Sequence, residues 1–180
     1  ILAQVADVSA RVSASIKLCS RIQAYSSPSA SMAVNPGYVS ESAVVPAPLD
    51  HVWGLISPMT FKFSKSVSQA TKETADNSST LGTYSICYAD NTVQTVRVTE
   101  ISERLPNTRS IGMEYISSDP AMSYAARMDT IILKAVTFGE APATYVEFSS
   151  DFSSDASMAV LEDSKFKKQD FFKDLCAFVK

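Results

Sequence analysis

The sequence predicts an α+β protein, in which a curved antiparallel sheet of seven strands packs around one long C-terminal helix. Three observations carry this prediction. Apolar and polar residues alternate through most of residues 38–152, as expected for strands with one buried face. The main helical pattern of this region comes after the last strand, at 158–179. Between strands one and two, paired prolines stop the first strand and open a short helix.

The first strand and its helix are predicted from the segment ESAVVPAPLDHVWGLISP at 41–58. Residues 38–45 are rich in β-branched side chains, and Pro46 cannot donate to a strand ladder. Pro48 suits a first helical turn, and Asp50 interacts favourably with the helix dipole there. The residues that follow give one apolar face, and Pro58 ends the helix. We expect a second short helix at 59–65.

Six further strands are expected, and polar turns separate several of them. Their ranges are 65–74, 82–89, 92–103, 109–117, 126–138 and 143–152. The last helix then places its apolar residues, Val160, Leu161, Phe166, Phe171, Phe172, Leu175, Cys176 and Val179, at helical spacing. Seven antiparallel strands twist and curl, and a straight helix over their concave face often leaves unfilled space. A ligand would occupy that space.

Residues 1–35 differ in composition from the rest. They hold eight serines, three basic residues and one acidic residue. Apolar residues recur every three or four positions from Ile1 to Ile22, which predicts an amphipathic helix over 1–25, and 26–37 is a linker rich in Ser, Pro and Gly. The segment resembles an organelle transit peptide, but we favour an ordered helix that docks on its own domain or on a protein partner. The third region, 38–180, is the folded domain.

Composition excludes several classes of protein. The net charge of −3 argues against a nucleic-acid binder, which needs a basic face. Three distant cysteines and one histidine cannot form a Cys/His metal cluster, so no metal and no cofactor are expected. Free thiols favour a reducing compartment, either the cytoplasm or the interior of a mitochondrion or plastid. No apolar run is long enough to suggest a membrane span.

Three stretches, VVPAPLDHVWGLI, LGTYSICYADNTVQTVRVTEISE and TRSIGMEYI, resemble the SRPBCC superfamily, also called START-like or Bet v 1-like, which includes polyketide-cyclase-type proteins. The resemblance covers 38–180, and its most specific residues are Pro46, Ala47, Pro48, Val52 and Trp53 in the first turn and Gly82, Thr83 and Tyr88 in the hairpin. It implies the helix-grip fold around an apolar cavity. Known members bind lipids, sterols, hormones, flavonoids or aromatic polyketides, and a few are enzymes.

The chain departs from the functional branches of that superfamily. The segment ADNSSTLG has one glycine where the pollen-allergen branch has a glycine-rich loop. The segments DNT and SSDPAMSY do not match the gate and latch loops of the abscisic-acid receptors. No positions match the catalytic lysine, tyrosine and carboxylate of the plant condensing enzymes. The resemblance therefore implies a fold without implying one branch.

The candidate ligand-binding residues belong to two strand faces and the last helix. On the strands, Tyr and Met suit a cavity wall, because Met adapts its shape and Tyr brings a hydroxyl into an apolar surface. Ordinary core packing is an equally good interpretation of these strand residues. The candidates are Tyr84, Ile86, Tyr88, Ile111, Met113, Tyr115 and Phe172.

The other residues of note are expected to have structural or surface roles. His51 has no nucleophilic partner in its motif and is expected at the surface, and Trp53 is expected in the core. The charged strand residues Arg97, Arg127, Asp129, Lys134 and Glu147 are expected to face solvent; any that pointed inward would need a partner and would be a candidate ligand anchor. The basic last helix could contact a membrane surface, but its phenylalanines are required to cover the sheet.

Two functions remain open from the sequence. In the first, 38–180 bind or transport a hydrophobic small molecule, lipid-like or aromatic, without catalysis. In the second, the cavity is vestigial and the chain is an accessory subunit of a larger complex, organellar or not, held through residues 1–35. An enzyme would need an acid–base pair in the cavity, and the sequence offers no recognisable catalytic residues.

Overall fold

A computed structural model describes residues 37–73 and 79–180. The predicted helix at 1–25 lies outside the described residues. So does the predicted linker at 26–37 except for its last residue, Gly37, which already begins the first strand. Among the described residues, no helix is long and apolar enough to cross a membrane.

Seven strands and two helices make up the described part of the chain. The strands are β1 (Gly37–Val45), β2 (Val67–Lys72), β3 (Gly82–Tyr88), β4 (Val93–Arg104), β5 (Thr108–Asp119), β6 (Arg127–Val136) and β7 (Ala143–Phe152). The helices are α1 (Leu49–Ile56), between β1 and β2, and α2 (Met158–Phe178), after β7. The predicted class and order of elements are confirmed, except at 59–65.

All seven strands form one curved antiparallel sheet in the order β1-β7-β6-β5-β4-β3-β2. Strands β2 to β7 are therefore a simple meander, in which each strand pairs with the next. The first strand, β1, forms the edge of the sheet opposite β2. It pairs along its whole length with β7, from Gly37 opposite Phe152 to Val45 opposite Thr144. This closure places α1 and the segment after it beside the end of the sheet.

The predicted second short helix at 59–65 is wrong. These residues form turns, and Met59 and Phe61 adopt positive φ angles of 59° and 45°. Their apolar side chains recur every second residue, at 59, 61 and 63, and all three are buried. Alternate burial requires an extended or turning backbone, because a helix would place neighbouring members of such a series on different faces. Tertiary packing therefore decided the conformation of this segment.

The long helix α2 covers the sheet with a narrow buried stripe. The side chain of Ser157 accepts a hydrogen bond from the backbone N–H of Val160 and caps the N-terminus. The Phe171 ring contacts Phe148 on β7 with the ring centres 5.2 Å apart, and Phe63 with the centres 5.1 Å apart. Edge-to-face contacts of this kind stabilise a core beyond the area they bury. The complete buried stripe is Ser164, Lys168, Phe171, Phe172 and Leu175.

Candidate functional site

A cavity of about 250 Å³ lies between α2 and the sheet. Its apolar wall comes from β2, β3, β4, β5 and β7, from α2 and from the segment before β2. Exposed residues also line it, namely Ser66, Ala89, Asp90 and Lys167, so the cavity reaches the surface beside the β3–β4 turn. The apolar lining residues are Phe61, Val67, Ile86, Val96, Met113, Phe148 and Phe171, with the rings of Tyr88 and Tyr115.

Four of the seven predicted ligand-binding residues line this cavity: Ile86, Tyr88, Met113 and Tyr115. The other three are buried but are not among its lining residues. The hydroxyl of Tyr84 donates to the carbonyl of Thr80 at 2.8 Å, and Ile111 is fully buried in the core. On α2, the ring of Phe171 faces the cavity, whereas Phe172 packs in the core beside it. That these residues bind a ligand stays a prediction.

A buried ion pair lies against the cavity. On β6, Arg127 donates two hydrogen bonds to the carboxylate of Asp129, from Nε to Oδ1 at 2.8 Å and from Nη2 to Oδ2 at 2.6 Å. The Asp129 side chain is completely buried and that of Arg127 is 13% exposed. The expectation that both face solvent is therefore wrong, because each supplies the other with the partner that burial requires.

A buried lysine on α2 joins this pair through a serine. The Nζ of Lys168 donates to the hydroxyls of Ser164 at 2.9 Å and Ser150 at 2.5 Å. Ser150 in turn donates to Oδ1 of Asp129 at 2.5 Å. We call these five residues the charged cluster: Arg127, Asp129, Ser150, Ser164 and Lys168. Three of its members, Arg127, Ser164 and Lys168, line the cavity.

Aromatic rings hold both cations of the charged cluster. The guanidinium carbon of Arg127 lies 4.2 Å from the centre of the Tyr115 ring and 5.4 Å from that of Phe152. The ammonium of Lys168 lies 4.5 Å from the centre of the Phe148 ring. Cation–π contacts are stronger where water is excluded, so these rings partly replace the lost hydration.

The cavity shifts the pKa values of the groups around it. Burial lowers the pKa of Lys168 from 10.5 to about 8, because the low-dielectric site disfavours the ammonium form. Burial raises the pKa of Tyr88, and that of Tyr115 well above its usual value. Burial also disfavours the charge of Arg127, but its interactions with Tyr115 and Asp129 outweigh this effect and raise its pKa well above the usual value. At neutral pH the arginine is thus charged and both phenols are protonated.

The remaining charged strand residues do not take part in the cavity. Arg97 and Lys134 are exposed, as expected, and Glu147 is half-buried on β7, where it accepts a hydrogen bond from Ser40 at 3.2 Å. His51 is exposed and Trp53 is a core residue, as expected. Among the described residues, no group of three or more His, Cys, Asp or Glu side chains could hold a metal ion.

The sequence contained a signal for the charged cluster. Arg127 and Asp129 share a strand face with Ile131 and Leu133, and that face is buried. Lys168 lies four residues after Ser164 and three before Phe171, so helical spacing places it in the buried stripe. Both signals were outweighed by the general tendency of charged side chains to face solvent.

Comparisons with known proteins bear on the fold. No family model matches the chain, and no curated protein matches its sequence. Solved structures do match. The START superfamily protein from Mycobacterium smegmatis has a TM-score of 0.62 at 13% identity, over 79% of this chain and 96% of that one. The di-domain ARO/CYC StfQ from the steffimycin biosynthetic pathway has a TM-score of 0.55 at 16% identity, over 77% of this chain and 43% of that one.

A third similar structure is DynU16, described as a putative protein in the dynemicin biosynthetic locus. It has a TM-score of 0.56 at 14% identity, over 81% of this chain and 48% of that one. Identities this low show a common fold and nothing finer. The START superfamily protein, which the match covers almost completely, supplies the name of that fold. The chain has the START-like, or SRPBCC, helix-grip fold.

Proposed function

We propose that this chain binds a hydrophobic small molecule, lipid-like or aromatic, in the cavity between α2 and the sheet, and that it does so without catalysis. The proposal rests on the cavity itself. Ligand sites are typically concave and apolar with a few placed polar groups, which is the composition of this lining.

The size of the cavity limits the ligand. An apolar cavity of about 150 Å³ is enough to hold benzene. A volume of about 250 Å³ therefore suits a molecule larger than one aromatic ring, such as a fused-ring compound or an acyl chain of moderate length. StfQ and DynU16, which share the fold, are named for a biosynthetic pathway and a biosynthetic locus of small molecules, and this accords with a small-molecule ligand.

Binding is tested with the purified protein in two ways. Native mass spectrometry followed by solvent extraction detects a copurifying ligand. Titration with the neutral fluorescent probe N-phenylnaphthylamine measures the affinity of the emptied cavity. We expect one probe molecule per chain, because a cavity of about 250 Å³ has room for one molecule of this size.

A pair of variants on β5 makes this test specific. Met113 lines the cavity and is 3% exposed, so Met113→Trp should fill the space and weaken probe binding about tenfold or more while the protein stays folded. Ser117 is exposed on the same strand, and Ser117→Trp should leave probe binding unchanged. If the probe does not bind, or binds both variants equally, the cavity is not a ligand site.

A further inference from the structure

We infer that the ligand of this cavity carries an anionic group, such as a carboxylate, and that Lys168 supplies its counter-charge, while Arg127, whose charge is balanced by Asp129, offers only hydrogen bonds. The inference rests on the proposed function and narrows its ligand class to a hydrophobic acid. Its basis is the charge and hydrogen bonding of the charged cluster, which holds two cations and one carboxylate.

The one carboxylate of the cluster is already committed to Arg127. Both Asp129 oxygens accept from that guanidinium, and Oδ1 accepts from Ser150 as well. A guanidinium has five N–H donors, and two of them form the pair with Asp129. Arg127 lines the cavity, so donors remain for an acceptor there.

Lys168 has no carboxylate of its own. Its two hydrogen-bond acceptors are the neutral hydroxyls of Ser150 and Ser164, and among the described residues no acidic group lies within ion-pair distance of its Nζ. The side chain is 1% exposed, so bulk water does not solvate the charge. A buried ammonium without a counter-charge is costly, and an anionic ligand group would supply that counter-charge.

The other charged and titratable groups near Lys168 do not neutralise its charge. At the mouth, Asp90 and Lys167 have opposite charges. Tyr88 on β3 and Tyr115 on β5 are neutral at physiological pH, because burial raises the pKa of each. Glu41 on β1 interacts with Lys165, at 3.8 Å, and with Gln169. Asp129 and Glu41 favour the ammonium form of Lys168, but the effect of burial is larger, so the cavity keeps a positive charge at Lys168 that no carboxylate contacts directly.

The protonation of Lys168 gives the inference a measurable consequence. With a pKa of about 8, Lys168 is mostly protonated at pH 7 and mostly neutral above pH 9. The neutral amine no longer attracts an anion. Affinity for a hydrophobic acid should thus fall as pH rises through the pKa of Lys168, whereas affinity for a neutral ligand should not.

The experiment compares two matched pairs of probes by titration of the full chain. One pair is naphthylacetic acid and naphthylethanol, and the other is decanoic acid and decanol. At pH 7 each acid should bind about tenfold or more tightly than its alcohol, as expected for one charge-assisted hydrogen bond. This preference should disappear above pH 9.

Two variants test whether Lys168 causes the preference for acids. Lys168→Met should remove the preference for acids at every pH, so that each acid binds no more tightly than its alcohol. Lys173→Met, a change of the same kind at a 71% exposed position of α2, should leave it intact. If Lys168→Met does not fold, the pH dependence of the wild-type protein still decides the matter.

Two outcomes overturn the inference separately from the proposed function. Equal binding of acids and alcohols by the wild-type protein would show that the cavity binds hydrophobic molecules without selecting acids. A preference for acids that persists in Lys168→Met would place the recognition elsewhere. If none of the four probes binds and N-phenylnaphthylamine does not bind either, the proposed function itself is wrong.

Discussion

Asp129 and Lys168 interact through a single hydroxyl group, that of Ser150. The ammonium donates to Ser150 Oγ at 2.5 Å, and the same hydroxyl donates to the carboxylate at 2.5 Å. The serine is fully buried on β7, between the strand that carries Asp129 and the helix that carries Lys168. One small side chain thus connects the sheet to α2 inside the core.

Ser150→Ala should destabilise the protein by about 1–3 kcal/mol, because it removes one hydrogen-bond partner from each of two buried charges. Urea denaturation measures this change. Ser42→Ala, at an exposed position of β1, is the matched control and should change the free energy of unfolding by less than about 0.5 kcal/mol. A loss no larger than that of the control would mean that water replaces the hydroxyl in the variant.

Stability should rise with pH between about pH 8 and pH 10, because Lys168 is harder to protonate in the folded state than in the unfolded state. Its folded pKa is about 8 against an ordinary 10.5. Below pH 8 both states carry the proton and the cost of burying the charge is fully present. Above the folded pKa the unfolded state binds more protons, so the free energy of unfolding increases, by on the order of 2–3 kcal/mol at most.

Two features make this pH profile specific. Above pH 10 the buried phenols reverse the trend, because burial raises the pKa of Tyr88 and Tyr115 and the unfolded chain loses those protons first. Lys168→Met should abolish the rise between pH 8 and pH 10, and Lys173→Met should not. Denaturant titrations at several pH values measure the profile, and a wild-type curve that is flat or falling over this interval would contradict the prediction.

Tyr88→Ala should weaken probe binding more than it weakens the fold. Loss of a well-packed core aromatic costs about 3–5 kcal/mol, but Tyr88 borders an open space, so fewer protein contacts are lost. Phe172→Ala is the contrast, because Phe172 is 6% exposed, packs in the core and is not a lining residue of the cavity. It should carry the full core cost and leave the affinity of N-phenylnaphthylamine nearly unchanged. The opposite ranking would show that Tyr88 is ordinary packing.

The sequence predicted the fold well because the fold follows from periodic patterns. Each of the seven strands lies within about two residues of its expected range, and α2 ends one residue before the predicted end. The prediction of a helix at 59–65 was wrong because its apolar residues are close enough in sequence to fit a short helix. In the structure the segment forms turns, and every second side chain enters the core. Local pattern does not reveal such packing.

The site was predicted in part, for a related reason. A strand face identifies the residues that point inward, and Ile86, Tyr88, Met113 and Tyr115 were found in this way. Whether an inward residue meets a cavity or another side chain depends on the curvature of the sheet and the position of α2. The sequence pattern does not encode these, so Tyr84, Ile111 and Phe172 were predicted with equal weight although they do not line the cavity.

The last prediction concerns residues 1–35, for which the argument comes from the sequence. Their apolar stripe from Ile1 to Ile22 needs a partner surface, since an isolated helix of this length is marginal in water. The Ser-, Pro- and Gly-rich linker allows that surface to belong to another chain. The described part of the domain already holds a contiguous buried cluster from Val45 to Leu175. We therefore expect the domain to fold without residues 1–35.

Deletion of residues 1–35 should leave the thermal midpoint nearly unchanged and abolish association of the chain with itself or with a partner. Calorimetry measures the first quantity, and light scattering at increasing concentration measures self-association. Full-length protein with Val5→Ser and Val12→Ser, which interrupts the stripe without shortening the chain, should lose association in the same way. If the truncated domain unfolds instead, the segment packs on its own domain, and its role is to complete that core rather than to bind another chain.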